Sequence, residues 1–257
     1  MNTGLFDHFP IFFFYLAIVA LILLSFELGY FISKHTNKSS DTSAAGAINP
    51  MVTGLLAMLG FVLAFSLAMA AAEHKVRKKN ALDDANIITT AYLYADLVDE
   101  PVKTKVKQYL KEYVGVRLQA ASDRDQLKKY TARSLELQEQ LWSEAVSLGK
   151  NGYKKSSLLL IQSVKELMVM HETRLVTTLH NRIPTSIWIT LFAISSLTMV
   201  TMGARAGISH SRHLIVSIPL ILAFASLTTV IVDLDRIQHS FIKTNQQAMI
   251  DLQKKMH

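Results

Sequence analysis

The chain has 257 residues, of which half are hydrophobic, with a mean hydropathy of +0.26 and a formal net charge of +7. It contains no cysteine, which excludes disulfides, cysteine-based zinc sites, iron–sulfur clusters and a thiol nucleophile. The length leaves room for a membrane bundle and one modest polar domain.

Four long apolar runs lie in two pairs on either side of a polar stretch. Each has 19–24 residues, and Glu27 is the only charge inside them. At about 1.5 Å of rise per residue, each is long enough as a helix to cross a hydrocarbon core of about 30 Å. The sequence therefore predicts an all-α membrane protein with four spans. These spans are Pro10–Ser33, Met51–Ala72, Pro184–Ala204 and Leu214–Val232.

The charges flanking the spans predict the orientation. The first run is expected to stay as an anchor rather than a cleaved signal peptide, because no basic residue precedes Phe12 and no small-residue cleavage pattern follows. Ten basic residues then lie near span ends on the side of the termini and the central stretch, against four on the other side. Since basic residues accumulate in the cytoplasm, both termini and the central domain are predicted to be cytoplasmic. The ten are Lys75, Arg77, Lys78, Lys79, Arg174, Arg182, Arg236, Lys243, Lys254 and Lys255; the four are Lys34, Lys38, Arg205 and Arg212.

The polar stretch is predicted to be helical throughout. The second span has no helix breaker at its inner end, so its helix is expected to continue to about Leu97. Pro101 predicts the start of a second helix, Ser122-Asp123 a break before a third, and Gly149–Gly152 a turn before a fourth. The resulting organisation is spans at 10–72, a cytoplasmic helical domain at 73–183, spans at 184–232 and a cytoplasmic tail at 233–257. The domain is expected to form a stalk or vestibule that packs against neighbouring subunits; the alternative is a solvated helical domain inside one monomer.

Three local patterns at the membrane boundaries carry a resemblance. The first is Arg77–Asn86 at the exit of span two, followed by Ala91-Tyr92 and Ala95-Asp96-Leu97. The second is Thr173-Arg174, then His180–Pro184 with Trp188 just inside span three. The third is Val232–Arg236 at the exit of span four, with Gln246-Gln247 and Met249 beyond. From about Pro50 to its end, the chain resembles the bestrophin-like domain family of bacterial membrane proteins, long catalogued as a domain of unknown function.

The resemblance implies a distant relation to bestrophins, which are oligomeric channels with four spans per subunit, a central pore and a cytoplasmic vestibule. It implies a homo-oligomer, with five subunits by analogy, in a bacterial inner membrane. In that family the acidic-Leu-acidic-Arg segment is commonly followed by Pro and Gly, whereas Ile237 and Gln238 follow here. This departure bears on the shape of the tail after span four and not on the resemblance itself.

The second span supplies the pore-lining candidates. Phe61, Phe65 and Met69 recur at i+4, with Met58 beside them, while Gly60, Ala64 and Ala68 follow on an adjacent face. Around an oligomer axis the large side chains would form a hydrophobic neck that gates by dewetting, and the small ones would let neighbouring helices pack closely. The narrow neck of bestrophins is likewise hydrophobic and comes from the second span. The alternative is that the aromatic residues face lipid and the alanines pack within one subunit.

Several polar and charged residues each allow two interpretations. Glu27 is either a selectivity, gating or proton-sensing group or an interfacial carboxylate near the outer surface. Asp233 and Asp235 either fix helix ends, by capping or by pairing with residues such as Arg77 and Arg182, or form an acidic ring that favours cations. Arg236 belongs to the same segment. The Lys75–Lys79 cluster favours anions if it faces a pore, and otherwise contacts lipid headgroups. Asn86 bonds either across an interface or inside the core.

No enzyme is predicted, since no phosphate loop, serine elbow, zinc signature or facing carboxylate pair occurs at useful spacing. No catalytic residue, metal site or cofactor is expected. The partners predicted are inorganic ions, the lipid bilayer and further copies of the chain, with no nucleic acid. The leading hypothesis is an ion channel. The alternative is a membrane-anchored sensor or assembly protein. A transporter is disfavoured because polar or broken helices near the midplane are lacking, and Pro219, one possible kink, is not enough.

Overall fold

The computed structural model describes residues 10–36, 42–123, 126–151, 154–179, 183–209, 214–236 and 246–256. Its helices are α1 (Ile11–Thr36), α2 (Thr42–Tyr94), α3 (Val102–Ser122), α4 (Leu127–Ser147), α5 (Lys155–Leu179), α6 (Thr185–Ile208), α7 (Leu214–Asp235) and α8 (Gln247–Met256). Short 3₁₀ turns follow α2 and α4, at Ala95–Leu97 and Leu148–Asn151. The described residues contain no strand, so the predicted all-α class is confirmed.

Four of the described helices are long and apolar enough to cross a membrane: Ile11–His35, Ile48–Leu97, Thr185–Ile208 and Ser217–Asp235. They coincide with the four predicted spans. The second takes in most of α2, a helix of 53 residues that continues past Ala72 to Tyr94 as its lack of a breaker predicts, together with the 3₁₀ turn that follows. Pro219 lies inside α7, which remains a single helix.

The chain divides into two compact units, Met1–His74 with Arg182–Ile242, and Lys75–Asn181 with Lys243–His257. The first contains the apolar helices, and the second contains the end of α2 with α3, α4, α5 and α8. The segment 233–257, predicted as one tail, is therefore divided between the two units. Its beginning lies in the first unit, whereas Met249, Leu252 and Met256 of α8 are buried in the core of the second.

In the first unit, α1 and α6 run parallel and touch through their backbones. Gly203 lies against Phe26, and Gly207, one turn later, lies against Tyr30. The equal steps along both helices show that they point the same way, as two spans that start on the same side must. Toward the start of α1, Ile22 belongs to a core that it shares with Met199 and with residues of α7.

The membrane part of α2 packs on the same bundle by one face. Leu59, Leu63 and Ala70 are buried in a core that includes Trp188 and Leu191 of α6. Their spacing is that of one side of a helix. The opposite side of α2 is therefore left outside the subunit.

The second unit is built from the predicted helices. α3 begins after Pro101, and the carboxylate of Glu100 accepts a hydrogen bond from the Thr104 N–H at 3.2 Å, satisfying one donor that a helix start leaves unpaired. α3 ends at Ser122, where the break was predicted. The core of the second unit is formed by apolar side chains at helical spacing, among them Ile88, Val106, Leu110, Leu137, Leu141, Leu160, Val164 and Leu167.

Candidate functional site

The face of α2 that carries the pore-lining candidates is exposed in the subunit. Phe61 is 72 % exposed, Met58 53 % and Phe65 51 %, whereas Met69, at the edge of this face, is half-buried against the bundle core. Among the described residues no helix of the same subunit covers the three exposed side chains. They are available to lipid, to a neighbouring subunit or to a pore.

The small residues on the adjacent side of α2 are also uncovered. Ala64 and Ala68 are exposed, and a Cβ added at Gly60 would meet nothing within 4 Å. The alternative in which the alanines pack within one subunit therefore does not describe this helix. Exposed large side chains dominate the outward side of α1, for example Leu24 and Phe31, so the small-residue side of α2 differs from an ordinary lipid-facing surface.

The acidic residues at the end of α7 are buried inside the first unit. Asp235 is 6 % exposed, and its Oδ1 accepts a hydrogen bond from the Ile183 N–H at 2.9 Å, just before α6 begins. The Arg236 guanidinium lies over the Phe14 ring, 5.3 Å from its centroid. Asp233 is buried as well, at 5 % exposure. These contacts connect the end of α7 with the starts of α1 and α6, which is the helix-fixing role considered for the two aspartates.

The remaining charged and polar candidates occupy different environments. Glu27 is half-buried in α1, and Arg77 is half-buried in α2. Asn86 is exposed, so the core alternative for it is wrong, while a contact across an interface stays a prediction. Lys75 and Lys79 are exposed on α2. Arg182 lies outside the described residues.

The second unit contains a buried polar cluster that is not among the predicted site residues. Arg117 donates a hydrogen bond to the Asp84 carboxylate at 2.8 Å, with the side chains only 7 % and 1 % exposed. The Tyr113 hydroxyl is 3.2 Å from His171 Nδ1 and accepts a bond from Gln138 at 3.4 Å. The cluster therefore joins α2, α3, α4 and α5 inside one apolar core.

The cluster is only partly satisfied by the side chains around it. Asp84 Oδ1, Arg117 Nε and His171 Nε2 have no hydrogen-bond partner among the described residues. Burial raises the pKa of Asp84, and the attraction of Arg117 only partly offsets it. Burial likewise lowers the pKa of His171, and the nearby Arg117 charge lowers it further. Both effects favour the neutral form of His171 in the folded unit.

The His171 environment predicts a loss of stability in acid. Its folded pKa lies below the unfolded value of 6.5, so the unfolded chain takes up a proton first and the free energy of unfolding falls as pH drops through that window. His171→Gln should flatten this pH dependence between pH 7 and 5, measured as thermal unfolding of the full-length protein in detergent by circular dichroism. Asp84 acts in the opposite direction, since its raised pKa favours the folded state in acid.

The matched control is His35→Gln, because His35 is exposed on α1. It should leave the pH profile of the wild type unchanged. A His171→Gln profile that still falls as steeply would contradict the assignment of this acid sensitivity to His171.

The polar cluster could have been recognised from its register. Asp84 precedes Ile88, Ala91 and Ala95 at i+4, i+7 and i+11, and these three are fully or nearly fully buried. His171 follows Leu160, Val164 and Leu167 with the same spacing. A polar residue that continues an apolar stripe is a core residue, and a buried ionisable one needs a partner. The register of Asp84 and His171 with these buried residues is therefore the signal in the sequence that indicates the cluster.

No group of three or more histidine, cysteine, aspartate or glutamate side chains capable of holding a metal ion occurs in the described part of the chain. Comparison of the chain with protein-family models, with curated proteins and with solved structures finds no significant match.

Proposed function

We propose that the protein is a homo-oligomeric ion channel of bestrophin-like type in a bacterial inner membrane, with both termini in the cytoplasm. The ion path would follow the symmetry axis and be lined by α2. The observation that carries this proposal is the uncovered face of α2, where Met58, Phe61 and Phe65 stand beside Gly60 and Ala64.

The arrangement of large and small residues on that face suits a ring of α2 helices. At about 100° per residue, Phe61, Phe65 and Met58 fall on one side of the exposed face, and Gly60 and Ala64 fall on the other. In a ring, the small side would allow the next subunit to approach, and the large side would meet the axis as a hydrophobic neck. One helix face would thus supply both the subunit contact and the pore wall.

The exposed charge on the large-residue side of α2 favours anions. Lys79 follows Phe61 by about five turns of 3.6 residues, so it lies on the same side of α2, and it is exposed. Asp83, also on this side, is half-buried. Asp233 and Asp235 are buried among helices of one subunit, which removes the main argument for an acidic ring that would favour cations.

The proposal is tested by planar-bilayer recording on purified protein in a salt gradient, with Phe61→Ala and Phe65→Ala. Each substitution should widen and wet the neck, so the open probability or the conductance should rise at least several-fold. The reversal potential reports the sign of the ion, and we expect it to follow the anion gradient.

The matched control is Phe31→Ala, since Phe31 is 53 % exposed on α1, outside the proposed path. It should leave the currents unchanged. Unaltered currents in both α2 variants of a conducting protein would remove the pore assignment. Silence from well-folded oligomers would favour the alternative, a membrane-anchored sensor or assembly protein.

A further inference from the structure

The second unit exposes two apolar stripes that no described residue of the subunit covers. On α5, Leu158, Val169 and Val176 are 51 %, 56 % and 52 % exposed. The last two border a shallow groove of about 540 Å³ along the helix, which is also lined by Glu172 and Thr173. The other stripe lies on the last part of α2, where Leu82 and Leu93 are 51 % and 59 % exposed.

The two stripes belong to adjacent antiparallel helices. Asn80 of α2 donates a hydrogen bond to the Thr177 hydroxyl of α5 at 3.2 Å, and the 3₁₀ turn that ends α2 contacts α5. Because the two helices are antiparallel, a step forward along α2 corresponds to a step backward along α5. Counted from the Asn80–Thr177 bond, Leu82 therefore lies at nearly the same height along the helix axes as Val176. Asn86 lies near the height of Glu172 by the same count.

From these positions we propose that α5 of one subunit receives α2 of a second copy of this chain, in a head-to-tail ring. This inference rests on the proposed homo-oligomer with α2 along its axis. Rotation about that axis keeps every residue at its height, so only surfaces that match at equal height can meet in a closed ring. Leu82 then packs on Val176, and the Asn86 amide meets the Glu172 carboxylate.

Two further features support a second copy as the occupant. Leu82 follows Ala64 by about five helical turns, so it continues the small-residue side of α2 that would face the next subunit. The charges are also complementary. The exposed Lys75 and Lys78 are on this side of α2, while Glu166 and Glu172 are exposed on α5. A contact of α2 with α2 would instead bring like charges together.

The absence of native cysteine allows a direct test by disulfide formation. Leu82→Cys and Val176→Cys are made in separate copies that carry different affinity tags, co-expressed and oxidised in the membrane. A disulfide needs Cα atoms within about 7 Å, so a cross-linked dimer should form from the mixture and from neither variant alone. Leu135→Cys replaces Val176→Cys in the control, because Leu135 is exposed on α4, and that mixture should give no dimer.

The outcomes separate this interface from the proposed channel. An oligomer by light scattering without the mixed dimer would overturn the α2–α5 contact and leave the channel proposal intact. Cross-linking of Leu82→Cys with itself would also overturn the contact, in favour of α2 against α2. A monomer at all detergent and lipid conditions would refute the oligomer, and with it both proposals.

Discussion

Replacing Arg117 by methionine is expected to destabilise the second unit by about 3 kcal/mol at neutral pH, the lower end of the range for a broken buried ion pair. The guanidinium contacts the Asp84 carboxylate at 2.8 Å, and its removal leaves a carboxylate of 1 % exposure without its main partner. Arg174, whose Nε is 3.9 Å from the same carboxylate, limits the loss. The measurement is hydrogen exchange of α3 and α5 peptides in the full-length protein.

The pH should change the size of this loss. Burial already raises the pKa of Asp84, and removal of Arg117 raises it further, so the orphaned carboxyl can take up a proton in acid. The difference in free energy of unfolding between Arg117→Met and the wild type should therefore shrink from pH 7 to pH 5. A difference that grows in acid would contradict this account of the pair.

Two companion variants distinguish a broken pair from a simple loss of contacts. Asp84→Leu combined with Arg117→Met removes both charges, and replacement of a buried pair by apolar residues is often neutral or stabilising. The double variant should recover most of the stability. Lys105→Met is the exposed control, because its pair with Glu144 lies at the surface and should be worth less than about 1 kcal/mol. Equal losses in the single and double variants would show that the Asp84–Arg117 attraction is not what protects the unit.

The spans and helices could be predicted because their signals are local. Each apolar run is long enough to cross a membrane, and Pro101, Ser122 and Gly149 interrupt the helical pattern where the structure ends or begins helices. The long α2 was predicted from the absence of any breaker after Ala72. These features depend on a few neighbouring residues, so one sequence is enough to find them.

The contacts between helices were harder to predict because they depend on pairs far apart in the chain. Asp235 and Ile183 are separated by 52 positions, and Asp84 and Arg117 by 33. Charge at a helix end indicates that some partner exists, but several cations and helix starts were available for Asp235. Only the packing of α6 against α7 selects Ile183. For Asp84, the position on a buried stripe was visible, but its partner on α3 was not.

The candidate pore face is an intermediate case. Its residues were predicted from spacing on α2 alone, and the exposure of Phe61, Phe65 and Ala64 agrees with a side that faces away from the subunit. Exposure in a single subunit does not distinguish lipid from a pore, because both lie outside it. That distinction depends on the neighbouring copies, and it is decided by the Phe61→Ala and Phe65→Ala recordings and by the cross-link between Leu82→Cys and Val176→Cys.

The close approach of α1 and α6 leads to the second large prediction, for Gly203→Ala. A Cβ at this position would lie 2.0 Å from the Phe26 carbonyl oxygen, and one at Gly29 would lie 1.9 Å from that of Val200. Both obstacles are backbone atoms, so no side-chain rotation relieves the clash and the helices must separate. The pattern Gly203-x-x-x-Gly207 was a signal for this contact, since small residues at that spacing let membrane helices touch.

Gly203→Ala should therefore cost roughly 1–3 kcal/mol or more, the range for forcing extra atoms into a packed core. The expected result is a lower thermal midpoint in detergent and a loss of monodisperse protein. Gly54→Ala is the matched control, because a Cβ there meets nothing within 4 Å. Alanine is a better helix former than glycine, so this variant should be unchanged or stabilised by about 0.5–1 kcal/mol. Equal midpoints for the two variants would mean that α1 and α6 are not held at backbone contact. A fall in Gly203→Ala alone would establish that contact as what holds the first span to the third.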